Sequence, residues 1–150
     1  MSTGTDDADL DSPAHGAALA AAQEAADGTL YSFVAYTPDE FEVLYVDDVM
    51  DEFYPSRERM RAHFEEIHSY VHVDFTERNL FEDTLFSDLG TVRTFVTRMD
   101  GLTLVRYLDG RNGVFVALDP DECVRDVTRA VESALGGESA ESAGDDEKQR

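Results

Sequence analysis

Residues 91–118 read TVRTFVTRMDGLTLVRYLDGRNGVFVAL and contain three short runs rich in β-branched and aromatic residues. Such runs are typical of β-strands. The first two runs are joined by Asp100-Gly101, and an Asp-Gly pair between strands is the strongest short signal for a hairpin. A second turn, at residues 109–113, leads into the third run. The stretch therefore predicts an antiparallel meander with strands at residues 91–99, 102–108 and 114–118.

Two further strands are predicted upstream, at residues 30–36 and 41–46, and both are rich in aromatic and β-branched residues. The short turn between them contains Pro38, so we expect an antiparallel hairpin. A helix should precede this hairpin. Ser12-Pro13 provides a capping serine and a proline at the first helical position, and Asp27-Gly28 provides the end.

The clearest amphipathic helix lies in the middle of the chain, after Ser56 as a plausible N-cap. Apolar residues recur there at spacings of three and four, which places them on one helix face. They are Met60, Phe64, Ile67, Val71 and Phe75. We expect this helix to continue beyond Phe75, with a bend near Asn79, and to end at Gly90.

A last helix is predicted from Asp119 as N-cap, Pro120 at the first helical position and Glu122 as the acid of a capping box. The element order α-β-β-α-β-β-β-α predicts an α+β fold, a five-stranded antiparallel sheet with helices packed on it. We assign residues 12–135 to one domain. Residues 1–11 and 136–150 are acidic and poor in apolar residues, and they are predicted to be disordered tails.

The charge of the chain restricts its partners. Lys plus Arg number 12 and Asp plus Glu 33, for a net charge of −21. Such a field disfavours contacts with nucleic acid and with anionic membranes, so we expect a protein partner. Because Lys148 is the sole lysine, the composition is typical of a halophilic cytoplasm. No signal peptide and no apolar run of about 20 residues is evident, which predicts a cytoplasmic protein.

The candidate metal ligands are His68, His72 and Glu65. Histidines four residues apart on a helix can share one metal ion, and Glu65 could supply a third ligand. The favoured alternative is that both histidines lie on the helix surface and pair with neighbouring acids. Cys123 has no histidine near it in sequence, and no phosphate loop, nucleophile elbow or dinucleotide fingerprint occurs. We therefore expect no cofactor and no catalysis.

Two resemblances can be stated on these elements. Residues 36–46, 68–75 and 113–120 resemble an uncharacterised family of small proteins from halophilic archaea. That family has no known activity that could be carried over to this chain. The element order is similar to that of the roadblock branch of the profilin-like folds. That resemblance implies a homodimer formed through the central helix and a sheet edge, and a scaffold for small GTPases. Tyr70 and Val73 point away from the main apolar face of the helix and are the candidate interface residues.

Three functions remain open. We favour a non-catalytic regulatory module that acts by protein–protein contact as a homodimer. The second is a small-ligand sensor of the PAS or GAF kind, which needs an apolar cavity lined by Tyr31, Phe33, Phe95 and Tyr107. The third is a metal-dependent enzyme that uses the histidine pair.

Overall fold

The computed structural model describes residues 13–136, and these form three layers, with helices on both faces of one sheet. The predicted tail at residues 1–11, the predicted capping residue Ser12 and residues 137–150 of the tail predicted at 136–150 lie outside the described residues. Gly136, predicted to begin that second tail, is instead the last residue of the final helix. The elements are α1 (Pro13–Ala25), β1 (Leu30–Tyr36), β2 (Phe41–Val46), α2 (Asp48–Phe53), α3 (Arg57–His68), α4 (Val71–Leu80), a π-helical turn (Phe81–Leu85), β3 (Thr94–Met99), β4 (Leu102–Asp109), β5 (Asn112–Leu118) and α5 (Val124–Gly136).

The sheet has the strand order β2-β1-β5-β4-β3, and all neighbouring strands are antiparallel. The predicted α+β class and five-stranded antiparallel sheet are confirmed. The pairing of β1 with β5 joins the predicted hairpin to the predicted meander, a long-range contact that local patterns do not reveal. As a result β2 and β3 are the two edge strands.

One face of the sheet is covered by α1 and α5, which pack against each other and over the larger apolar core. Ala18 and Ala22 are fully buried, because their small side chains let α1 lie close to its neighbours. Val127 and Val131 of α5 are also fully buried, and each contributes about 1.5–3 kcal/mol by leaving water. Within residues 13–136, no helix combines the length and the apolar character needed to cross a bilayer.

The opposite face carries α3 and α4 over a smaller cluster. Its buried members are Tyr36, Val71 and Leu108, and Phe75 and Phe115 pack against them. The Tyr36 and Phe75 rings meet edge to face, with centroids 6.1 Å apart. The apolar face predicted for the central helix is therefore the face that contacts the sheet.

The central helical segment differs from the single long helix predicted. Ser56 caps α3 as expected, since its Oγ accepts a hydrogen bond from Arg59 N at 3.2 Å. The break comes at Ser69–Tyr70 instead of near Asn79. Ser69 Oγ donates to Glu66 O, and such a side-chain bond competes with the helical backbone. The β-branched and aromatic residues that follow have low helix propensity, which favours a break at this point.

The segment between β2 and the central helix, for which no helix or strand was predicted, contains the short helix α2. Asp47 is its N-cap, and its Oδ2 accepts a hydrogen bond from Val49 N at 3.0 Å. Pro55 follows the helix and cannot continue it. Asp47, Asp48 and Asp51 therefore lie at the start of a helix, where negative charge is favourable.

The predicted start of the last helix is wrong. α5 begins at Val124, so Pro120 and Glu122 precede it. The Glu122 carboxylate instead accepts hydrogen bonds from Asp27 N at 2.9 Å and Gly28 N at 2.8 Å. Glu122 is buried, and it ties the loop after α1 to the loop before α5. The Glu122 carboxylate therefore makes a tertiary contact and not the helix-capping hydrogen bond that was predicted for it.

Candidate interaction surface

The three predicted metal ligands have separate surroundings in the structure. His68 Nε2 donates a hydrogen bond of 2.8 Å to Thr37 O, because a carbonyl oxygen can only accept. Glu65 lies 3.5 Å from Arg61 in an exposed ion pair, and His72 is exposed. Residues 13–136 contain no group of three or more His, Cys, Asp or Glu side chains that could hold a metal ion. The metal site stays a prediction.

A buried polar cluster attaches α4 to the sheet. Tyr36 Oη donates to Asp74 Oδ2 at 3.0 Å, and Arg106 Nη1 lies 2.5 Å from Asp74 Oδ1. Arg106 Nη2 also donates to Thr97 Oγ1 at 3.0 Å. Burial, then the charge of Asp74, raises the pKa of Tyr36 well above its ordinary value. The phenol therefore stays protonated and serves as a donor, so the cluster is built to hold α4 in place.

This cluster was not predicted from the sequence, although the sequence contains a signal for it. Asp74 is three residues after Val71 on the apolar face of the helix, where a carboxylate is expensive without a partner. Arg106 interrupts the otherwise apolar run of β4. Two opposite charges at positions predicted to be buried indicate an ion pair. That the two side chains are close in space, however, depends on how α4 lies over β4, and local sequence patterns do not show this.

A large set of exposed apolar side chains lies between the start of α4 and β3. We call it the α4–β3 surface. Of the ten large apolar residues exposed among residues 13–136, six belong to it: Tyr70, Val73, Leu80, Leu85, Phe86 and Leu89. Val96 of β3 is also exposed, but it pairs with the core residue Val105 and so lies on the sheet face of α1 and α5. The predicted interface residues Tyr70 and Val73 are 63% and 48% exposed. β3 beside them pairs only with β4 among the described strands, so its other edge is open.

A second apolar feature is a groove of about 430 Å³ between α2 and the β3–β4 hairpin, which we call the α2 groove. Its lining residues are Tyr31, Val49, Met50, Phe53, Tyr54, His63, Met99, Gly101 and Leu102. Tyr54 Oη and His63 Nδ1 are hydrogen-bonded at 2.6 Å beside it.

The ligand cavity predicted for a sensor domain is not formed by its four residues. Phe33 and Tyr107 are buried in the core beneath α1 and α5, whereas Phe95 packs in the cluster on the opposite face. Tyr31 lines the α2 groove. The pairing of β1 with β5 is irregular between Leu30 and Ser32, next to Tyr31, and such an irregularity interrupts the simple alternation of faces.

The sheet order and the helices on both faces define the class of the fold, that of roadblock/LC7 domains. The crystal structure of a roadblock/LC7 domain from Streptomyces avermitilis is similar, with a TM-score of 0.55 and 12% sequence identity over 78% of this chain and 88% of that one. MglC from Myxococcus xanthus is also similar, with a TM-score of 0.47 and 12% identity over 85% of this chain and 98% of that one. The chain belongs to the family described as a domain of unknown function (DUF7522), which matches residues 16–136. Among proteins with curated descriptions, no match was found.

These comparisons bear on the two stated resemblances. The fold resemblance to roadblock domains is confirmed, and so is the membership of an uncharacterised family. The haloarchaeal origin stays a prediction.

Proposed function

We propose that this chain is a non-catalytic regulatory module that acts by protein–protein contact, and that it forms a homodimer through the α4–β3 surface. The observation that carries the proposal is the set of six exposed apolar side chains in the segment that precedes β3, a strand with an open edge. Exposed apolar groups and unpaired edges are the features through which soluble domains associate. The fold likeness to a roadblock/LC7 domain supports the same proposal.

The geometry supports a rigid contact surface. The buried ion pair of Asp74 with Arg106 fixes α4 on β4, and Thr97 of β3 joins the same network. Tyr70, near the start of α4, is therefore held at a fixed position relative to β3. A surface that is ordered before binding loses less entropy when it associates.

Mass measurement tests the dimer. Light scattering after gel filtration in molar KCl, where acidic repulsion is screened, should give twice the monomer mass of 16.7 kDa. The double variant Tyr70→Asp/Val73→Asp places two charges on the α4–β3 surface, so it should be monomeric. Phe53→Lys, at an equally exposed apolar position on α2, is the matched control and should remain dimeric. A monomeric wild-type chain at high concentration would refute the dimer.

The partner of the dimer is, on this proposal, another cytosolic protein. A small GTPase is the partner class that the roadblock resemblance implies. Pull-down of small GTPases by the wild-type dimer, with the monomeric double variant as control, tests that class directly.

A further inference from the structure

We infer that the α2 groove is a second docking site, and that it takes an amphipathic segment of a partner protein with bulky apolar side chains flanked by Lys or Arg. This inference rests on the proposed interaction function, but it concerns a surface distinct from the six residues of the α4–β3 surface. The occupant would place its apolar side chains in the groove and its cations against the acids of α2 and the β3–β4 turn.

The first argument is the shape and exposure of the groove. α2 buries none of its side chains, and Phe53 and Val49 are 76% and 61% exposed. Met99 on the opposite wall is 57% exposed. A helix of six residues that buries so little of its side chains, yet directs apolar ones into a groove, is suited to contact another molecule.

The chemistry of the lining is the second argument. Met50 and Met99 lie among the lining residues, and the flexible thioether chain of methionine adapts to partners of different shape. Tyr54 and His63 add a hydrogen-bonded polar pair at one side. Apolar walls with a few polar groups are the usual composition of a site that receives a helix or an extended peptide.

The charge around the groove selects the occupant. Glu52 belongs to α2, and Asp100 lies in the turn between Met99 and Gly101 on the other wall. Neither carboxylate forms an ion pair with another residue in the range 13–136.

The nearest cations do not cancel this charge. Arg57 and Arg61 line a different hollow, which they share with Asp48 and Asp51 of α2, and Arg61 is also paired with Glu65. A second copy of this chain would bring the same carboxylates to the groove and be repelled, whereas a basic segment is attracted.

Two synthetic peptides test the inference. One is a fluorescein-labelled amphipathic helix with Leu and Phe on one face and Lys on the other, and its counterpart has every Lys replaced by Glu. Binding is followed by fluorescence anisotropy at the lowest KCl concentration at which circular dichroism shows a folded chain. The Lys peptide should bind and the Glu peptide should not, and rising KCl should weaken the binding.

Variants locate the site. Phe53→Ser removes an exposed anchor without a folding penalty and should lower the affinity for the Lys peptide at least about tenfold. The double variant Glu52→Lys/Asp100→Lys should reverse the preference of the protein, so that it binds the Glu peptide more tightly than the Lys peptide. Tyr70→Ser, on the α4–β3 surface, is the matched control and should bind the Lys peptide as the wild type does.

Several outcomes would overturn the inference. They are equal binding of both peptides and no binding of either. A change from dimer to monomer in Phe53→Ser, without peptide binding by the wild type, would show that a second copy fills the groove. A monomeric wild-type chain that still binds the Lys peptide would refute the homodimer and leave the docking site standing, so the two proposals fail separately.

Discussion

Tyr36 Oη at the end of β1 donates a 3.0 Å hydrogen bond to Asp74 Oδ2 on α4, which joins two elements 38 residues apart in the sequence. The other oxygen of the same carboxylate is paired with Arg106. Asp74 thus links the centre of the sheet, through β1 and β4, to the helix that carries Val73 of the α4–β3 surface. The position of that surface depends on a single buried carboxylate.

Asp74→Ala should lower the free energy of unfolding by about 2–4 kcal/mol. The substitution leaves the largely buried Arg106 guanidinium without its counter-charge and Tyr36 Oη without its acceptor. Urea unfolding at constant KCl measures the loss. Tyr36→Phe, which keeps the ion pair and removes one hydrogen bond, should cost about 1 kcal/mol.

The double variant Asp74→Ala/Arg106→Met is the control for this interpretation. It removes both charges together, so it should be more stable than Asp74→Ala alone. If the double variant is no more stable than the single one, the unpaired guanidinium is not the cause of the loss.

Gly113→Ala should destabilise the fold by about 1–3 kcal/mol. An added Cβ at Gly113 would lie 2.4 Å from Cζ of Tyr36, so the buried ring would have to move. Gly101→Ala is the matched control, since nothing lies within 4 Å of its added Cβ, and it should change the stability by less than about 0.5 kcal/mol. Thermal unfolding of both variants compares them, and equal midpoints would contradict the role given to Gly113.

The strands could be predicted from the sequence because their signals are local. Alternating and β-branched residues gave β1 and β2 their observed bounds, and Asp100-Gly101 located the β3–β4 turn. The order of strands in the sheet could not be predicted, because the pairing of β1 with β5 joins segments that are distant in the chain. The same reason explains Glu122, which local spacing assigned to a helix cap and which the fold uses elsewhere.

The candidate surface was predictable only in part. The exposure of Tyr70 and Val73 follows from the helical period, because both lie off the apolar face. The ion pair of Asp74 and Arg106 and the α2 groove depend on how separate elements pack. One wall of the α2 groove is the short helix α2, and no helix was predicted within residues 47–55.

Glu122→Ala should lower the free energy of unfolding by about 2–3 kcal/mol, because the N–H groups of Asp27 and Gly28 lose their acceptor. Glu122→Gln should cost less, since its side-chain carbonyl can still accept one of the two bonds. Urea unfolding of the two variants gives the ranking. A Gln variant as unstable as the Ala variant would show that the negative charge, and not the hydrogen bonds, matters.

His68→Ala should lower the free energy of unfolding by about 1–2 kcal/mol, since Thr37 O loses a donor and the Phe41 ring, 5.2 Å away, loses a neighbour. His72→Ala, at an exposed position, should change it by less than about 0.5 kcal/mol. Zn²⁺ should leave the unfolding midpoint unchanged in the wild type and in both variants. A midpoint raised by Zn²⁺ in the wild type alone would instead support the metal site of His68, His72 and Glu65.

Stability should fall in alkaline solution as buried tyrosines lose their protons. Burial, then the charges of Asp109 and Glu132, raises the pKa of Tyr107 to about 12, from an ordinary value of 10.0. Burial and Asp74 raise the pKa of Tyr36 as well. Because the folded chain holds these protons more tightly than the unfolded chain, their contribution is complete below pH 10 and is lost as the pH rises through about 12. Urea unfolding over this range should show the decline, and Tyr107→Phe should make it shallower. Tyrosinate absorbance that rises for all tyrosines near pH 10 in the folded chain would contradict the burial of these two phenols.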